Sequence, residues 1–213
     1  MNPIIKPADI EKRSFEIITE ELGGRAFPEG QAEVVKRVIH TSADFDYADN
    51  LVFSPDVVAK AKDALRKGAT IVTDTNMALA GINKATLAKL GGKAVCFMAE
   101  EQVAKEAKER GVTRAAVSME HAAKLEGPVI FAIGNAPTAL IRLHEMIEAG
   151  EINPALIIGV PVGFVNVVES KELFLGGRTP YIIARGRKGG SNVAAAICNA
   201  LLYQLFTREG FEK

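Results

Sequence analysis

The run VIFAIGNAPTALIRLHEMIEAG, residues 129–150, holds the logic of the fold in miniature. Val129 to Ile133 are all apolar, with no polar side chain on either side of the strand alternation, so both faces of such a strand are buried. A turn-prone Gly134-Asn135-Ala136-Pro137 follows, and helical spacing then runs to Gly150, a residue that can take the left-handed conformation at a helix end. A doubly buried strand, a short loop and a helix make the repeating unit of a parallel sheet.

The same alternation recurs on either side. Short apolar, mostly β-branched runs stand at Ala69–Thr73, Ala94–Met98, Leu156–Val160 and Tyr181–Ala184, and helical spacing marks EEQVAKEAKERG and TRAAVSMEHAAKLEG between them. The expected fold is therefore α/β, one domain over residues 1–213, with a mainly parallel five-stranded sheet flanked by helices on both faces. Two helical segments precede the first of these runs. Residues 7–22 begin with Pro7, carry Asp9 and Glu11 in the first turn, and offer Ile10, Phe15, Ile18 and Leu22 as a core stripe; residues 29–39 form the second. The final segment, SNVAAAICNALLYQLF, has no charge over residues 191–206, which makes it a core helix, an oligomer contact, or both.

Composition narrows the function classes. Lys plus Arg and Asp plus Glu both number 26 in 213 residues, so no global field exists to hold nucleic acid or an anionic membrane. Asp9, Glu11 and Lys12 interrupt the N-terminus before a secretory segment can form, and no apolar run approaches the roughly 20 residues that span a bilayer. A cytoplasmic protein is expected. Cys96 in AVCFM and Cys198 in AAAICNALL sit in apolar runs, settings for buried free thiols rather than a disulfide framework or a metal cluster.

In open parallel sheets, ligands lie beyond the carboxyl ends of the strands. The loops that follow the five runs are DTNMALAG, AEEQ, GNAPTA, PVGFVN and RGRKGGSN. In the third, Asn135 is placed either to cap the next helix or to meet a ligand, and Thr75 in the first has the same two readings. RGRKGGSN says more. Arg185, Arg187 and Lys188 lead into Gly189, Gly190 and Ser191 at a helix start, combining cations, close backbone approach and free amide donors. That pattern suits a carboxylate as readily as a phosphate; the bland alternative is a solvated basic turn. It is neither a GxxxxGK[ST] loop nor a GxGxxG loop.

The chain has three histidines. His121 and His144 lie among helix charges, where surface roles are expected. His40, in RVIHTSADFDYADNL (37–51), ends a helix-like segment, precedes Thr41 and Ser42, and stands close to Asp44, Asp46 and Asp49. With no second His or Cys nearby it does not read as a metal ligand. It is either a catalytic residue or a helix-end histidine favoured by the macrodipole.

KRSFEII (12–18), RVIHTSADFDYADNLVFSP (37–55), TDTNMALAGI (73–82), GNAPTAL (134–140), LIIGVPVGFVNVVESKE (156–172) and ARGRKGGSNVAAAICNALL (184–202) together resemble the precorrin-8X methylmutase family of cobalamin biosynthesis. The resemblance runs through nearly the whole chain. It implies an α/β sandwich that assembles as a homodimer, and an isomerase that moves the methyl group at C11 of a late corrin precursor to C12. The catalytic histidine of the family falls on His40, its substrate-contacting serine on Ser14 and an arginine on Arg114. With these, the loops make Thr75, Asn135, Arg187, Lys188, Gly189 and Ser191 the expected substrate contacts. HTSADFDYADNL is more similar to the branch of the family that acts on cobalt-precorrin-8 than to the metal-free branch. Cobalt then belongs to the substrate, so no cofactor and no protein metal ligand are expected. A non-catalytic corrinoid carrier on the same scaffold is the alternative from another class.

Histidine suits such a methyl shift because it can lend a proton near neutral pH and take it back, redistributing the electrons of the conjugated ring while the methyl moves. General acid catalysis contributes about 10² to 10⁴ in rate, roughly 3 to 5 kcal/mol, so holding the periphery of a polycarboxylate ring must matter too. The acids after His40 are expected to tune its charge or to close the pocket rim.

Overall fold

The computed structural model describes residues 7–206. In chain order the elements are α1 (Pro7–Glu21), α2 (Gln31–Ser42), α3 (Tyr47–Asn50), β1 (Leu51–Phe53), α4 (Val57–Arg66), β2 (Thr70–Thr73), α5 (Asn76–Gly81), α6 (Lys84–Ala88), β3 (Lys93–Val95), α7 (Glu101–Arg110), α8 (Arg114–Ala122), β4 (Val129–Ile133), α9 (Pro137–Glu148), β5 (Leu156–Gly159), α10 (Val167–Glu172), β6 (Tyr181–Ala184) and α11 (Ser191–Tyr203). The strands form one sheet in the order β1-β6-β5-β4-β2-β3. β4, the strand of the opening run, lies at its centre between β2 and β5 with every residue buried.

Strand alternation divides the core in two. Ile130 and Ala132 of β4, with Ile158 and Ile182, face a layer built by α2, α4 and α11. Val129, Phe131 and Ile133, with Ile157 and Ile183, face α8 and α9 through Met119, Leu140, Leu143 and Met146. Helices therefore cover both faces, as the apolar runs require.

Three expectations need correction. The sheet has six strands rather than five, because Leu51–Phe53 pairs antiparallel with β6, Leu51 opposite Ala184 and Phe53 opposite Ile182. Three residues are too few to show a period, so this strand leaves no local signal. Of the run 94–98 only Ala94 and Val95 enter a strand, Lys93–Val95, which is half-buried rather than doubly buried because it ends the sheet with β2 as its one neighbour. In α1, Ile18 is buried and Phe15 and Leu22 are half-buried, but Ile10 is 50% exposed. α1 rests chiefly on α2, not on the sheet, so its N-terminal end finds no core.

The uncharged α11 is a core helix. Nine of its residues, including Val193, Ile197, Cys198 and Leu201, are buried against α2, α4, α5 and the sheet of its own chain. Its apolar character needs no second subunit. Cys198 is a buried free thiol and Cys96 a half-buried one. No helix among the described residues is long and apolar enough to cross a membrane.

The short antiparallel β1 has a topological consequence. Because it runs against β6, its first residue lies beside Ala184, at the carboxyl ends of the parallel strands. The Arg185 amide donates to Asn50 O at 2.8 Å, tying the two segments there. The end of α2, and His40 with it, is thus delivered to the edge where the strand loops converge.

Candidate active site

His40 occupies the last turn of α2 and is exposed. Two residues of α1 orient its ring. Ser14 Oγ lies 2.9 Å from Nδ1, and the Phe15 ring stacks on the imidazole with centroids 5.2 Å apart and planes 23° from parallel. The far side of this arrangement is also fixed. The Arg37 guanidinium sits 4.6 Å from the Phe15 ring centre and 5.2 Å from that of Tyr203, and it donates to Glu11 at 2.5 Å. A serine hydroxyl both donates and accepts, so it can serve Nδ1 in the neutral ring and accept from it in the imidazolium. The contact survives a change of protonation state, and Nε2 is left for a substrate.

Immediately after α2 the chain reverses. Ala43 takes a left-handed conformation (φ 53°) with its amide on Ile39 O, and Ser42 Oγ donates to Val38 O while accepting from the Asp44 amide at 3.3 Å. This turn brings Asp44 and Asp46 to Lys188, whose Nζ lies 2.6 and 2.7 Å from their carboxylates. The pairing holds the Asp44 carboxyl below its usual range and raises the Lys188 ammonium, Asp44 being the stronger partner. Asp49 pairs instead with Arg25 at 2.6 Å. None of the three acids bonds the imidazole; Asp44 and Asp46 tie the segment after α2 to Lys188, and Asp49 ties it to Arg25. Lys188 correspondingly has its charge engaged and is not a free cation waiting for an anion.

The other expected site residues fall into two groups. Thr75 and Ser191 meet, their hydroxyls 2.7 Å apart, where the start of α5 touches the start of α11; Thr75 also caps α5 by accepting from the Ala78 amide. Gly189 lies half-buried against Val160, and Arg187 rests on the Phe164 ring at 5.4 Å. Asn135 is exposed at the end of β4 and does not cap α9. That service comes from Asp74, a fully buried carboxylate that accepts from the amides of Gly134, Asn135 and Ala136 at 2.6 to 2.9 Å. Burial raises its pKa against the opposing pull of those three donors. Arg114 is exposed on the first turn of α8, and no hydrogen bond or ion pair links it to the His40 group among the described residues. Its helix start is nonetheless fastened to that of α9 by Thr113 donating to Thr138 at 2.9 Å. His121 pairs with Glu106 and lies edge-on to Phe97 just past β3, while His144 packs edge-on against Phe174; neither is hydrogen-bonded to the His40 group among the described residues.

Two features escaped the sequence reading. Phe164, Val165 and Met77, in the loops after β5 and β2, are 80%, 78% and 72% exposed. Large apolar residues rarely stand so open at one edge without something to cover them. The second is Lys171 in α10, fully buried, with Nζ donating to Gly186 O at 2.8 Å and Lys188 O at 2.9 Å. Burial pushes this ammonium down to about 8. Unfolded lysine keeps its proton to about 10.4, so between these values the unfolded chain binds more protons and stability rises with pH. Between pH 8 and 10.5 the wild type should gain about 2 kcal/mol over Lys171→Met, measured by urea denaturation at each pH. Parallel stability curves for the two proteins would show that the buried amine carries no such burden.

Among the described residues no cluster of His, Cys, Asp and Glu could hold a metal ion. The precorrin-8X methylmutase family model matches residues 9–204. Cobalt-precorrin-8 methylmutase of Salmonella typhimurium is 46% identical, over 96% of this chain and 99% of its own length. Precorrin-8X methylmutase of Pseudomonas aeruginosa is 43% identical, over 90% and 93%. The crystal structure of precorrin-8x methyl mutase from Thermus thermophilus superposes with a TM-score of 0.83 at 37% identity, covering 91% of this chain and 95% of that one. With a family match over almost every described residue and the fold shared at that closeness, the chain belongs to the precorrin-8X methylmutases, isomerases of cobalamin biosynthesis.

Proposed function

We propose that the chain moves the methyl group from C11 to C12 of cobalt-precorrin-8, giving cobyrinic acid, with His40 as a reversible acid. The observation that carries this reading is the Ser14–His40–Phe15 arrangement, which orients the ring through Nδ1 and one face and leaves Nε2 without a hydrogen bond among the described residues. His40 lends a proton to the macrocycle from Nε2, the C11–methyl bond breaks as the C12–methyl bond forms, and the proton returns. No electron and no net proton is exchanged, so no cofactor is called for, and the cobalt is part of the substrate. The exposed Phe164, Val165 and Met77 suit the flat apolar face of the ring, while the basic glycine loop suits its acetate and propionate arms.

The cobalt branch is favoured by the acidic stretch after His40 and by the name of the Salmonella typhimurium relative. The 43% identical Pseudomonas aeruginosa relative makes metal-free precorrin-8X, converted to hydrogenobyrinic acid, the second reading. Anaerobic incubation with each precursor, followed by absorbance and mass, separates them. The expected result is a changed spectrum at constant mass with the cobalt substrate. Conversion of the metal-free compound alone would move the protein to the other branch, and a bound but unconverted ligand would make it a carrier. A homodimer whose two chains border the pocket is part of the proposal. It is supported by the family resemblance and by the openness of His40 on one chain, not by α11, and sedimentation at micromolar concentration tests it.

A further inference from the structure

Lys171 presents an unusual choice. Its helix, VVESKE, looks like a solvated charge run, yet the ammonium is fully buried and no carboxylate among the described residues pairs with it. Its partners are two carbonyls of the basic loop, Gly186 O and Lys188 O. The carbonyl between them, that of Arg187, accepts from the Gly163 amide at 3.1 Å. Three successive carbonyls are therefore engaged by α10 and the loop that leads into it.

A trans peptide is planar, with its C=O and N–H on opposite sides. With the carbonyls of 186, 187 and 188 held by α10 and the loop before it, the amides of Arg187, Lys188 and Gly189 point away from those partners. None of these three amides is hydrogen-bonded to another group among the described residues. On either side of the loop the backbone is tied down: Arg185 N donates to Asn50 O and Gly190 N to Val160 O. Successive backbone N–H groups directed to one side of a chain form an anion-binding concavity. The cradle lies on the loop whose Lys188 is held by Asp44 and Asp46, four and six residues beyond His40.

We propose that Lys171 is a positioning residue for substrate recognition: by holding the carbonyls of Gly186 and Lys188 it presents the amides of residues 187–189 as a backbone cradle for a carboxylate of the ring periphery. The inference rests on the reading of the substrate as a corrin polycarboxylate. It also reassigns the work within the loop, since the anion is met by amides while the Lys188 side chain ties the loop to the His40 segment.

The test uses the full-length protein, with cobyrinic acid in its cobalt(III) form as probe and its neutral heptaamide as control. In the ¹⁵N-labelled wild type, the amide protons of Arg187, Lys188 and Gly189 should move downfield together as cobyrinic acid saturates, and stay in place with the heptaamide. Lys171→Met, which keeps the volume and loses the donor, should weaken cobyrinic acid by about tenfold or more and leave the heptaamide unchanged. Lys171→Gln, which retains a donor, should fall between. A merely structural lysine would lower affinity for both ligands alike. If Lys171→Met does not fold, the wild-type amide shifts decide alone. Amides 187–189 unmoved by cobyrinic acid in a protein that still isomerises its substrate would overturn the cradle and leave the enzyme reading intact. Failure of the wild type both to bind cobyrinic acid and to convert a precursor would overturn the two together.

Discussion

His40→Ala should lose two to four orders of magnitude in single-turnover isomerisation while keeping its fold and most of its corrinoid affinity. The side chain is exposed, so its removal leaves no core cavity and the stability change should stay within about 1 kcal/mol. The peripheral contacts proposed to hold the ring belong to other residues. Single-turnover conditions with saturating enzyme matter, because slow product release can hide a chemical defect at steady state. Ser14→Ala should show a smaller loss of the same kind, since it removes the hydroxyl that orients Nδ1 without removing the acid. His121→Ala serves as control: that ring is paired with Glu106 and packs edge-on against Phe97, with no hydrogen bond to the Ser14–His40 pair among the described residues. A folded His40→Ala protein that converts substrate at the parent rate rules out the acid, whatever becomes of the methylmutase reading.

The second large effect is expected at Gly189. A Cβ there falls 2.0 Å from Val160 O and 2.9 Å from Pro161 O, both backbone atoms at the end of β5, which cannot rotate away as a side chain could. Gly189→Ala must therefore displace the loop or the strand end, at a cost of about 3 kcal/mol or more in urea denaturation. Corrinoid binding should fall with it. Gly186 in the same loop provides the comparison. Its φ of 76° strains a side chain, but a Cβ there meets nothing within 4 Å, so Gly186→Ala should cost about 1 to 2 kcal/mol. Equal losses for the two variants would mean that the close approach of Gly189 to the end of β5 costs no more than the backbone strain at Gly186, and that the loop does not bear on β5.

The difference between these two glycines shows what a sequence hides. RGRKGGSN announces a close-approach loop, but not which glycine makes the approach or against what. The contact with Val160 exists because β5 and β6 are parallel neighbours, with Ile157 beside Tyr181 and Gly159 beside Ile183. Asn135 teaches the same lesson. Its position before Pro137 reads as a helix cap, whereas the amides of that turn are taken by Asp74 from the end of β2, some sixty residues earlier in the chain.

What the sequence by itself determined is whatever depends on neighbours along the chain. The doubly apolar runs decided the parallel sheet and its helices on both faces, since a strand of that pattern is stable only between two covers. The residue types of the loops decided that hydroxyls and a basic glycine turn would stand at the carboxyl ends of the strands. The tertiary structure alone decided how these pieces meet. The three-residue antiparallel β1 carries the end of α2 to the carboxyl edge, and that is why His40 and Lys188's partners Asp44 and Asp46 lie beside a loop nearly 150 positions later. The burial of Lys171 under that loop, and of uncharged α11 within its own chain, follow from the same strand order. Local periodicity reports which face of an element is buried, but not which element buries it; that choice rests on long-range pairing, whose energy is shared across the whole sheet and written in no single segment.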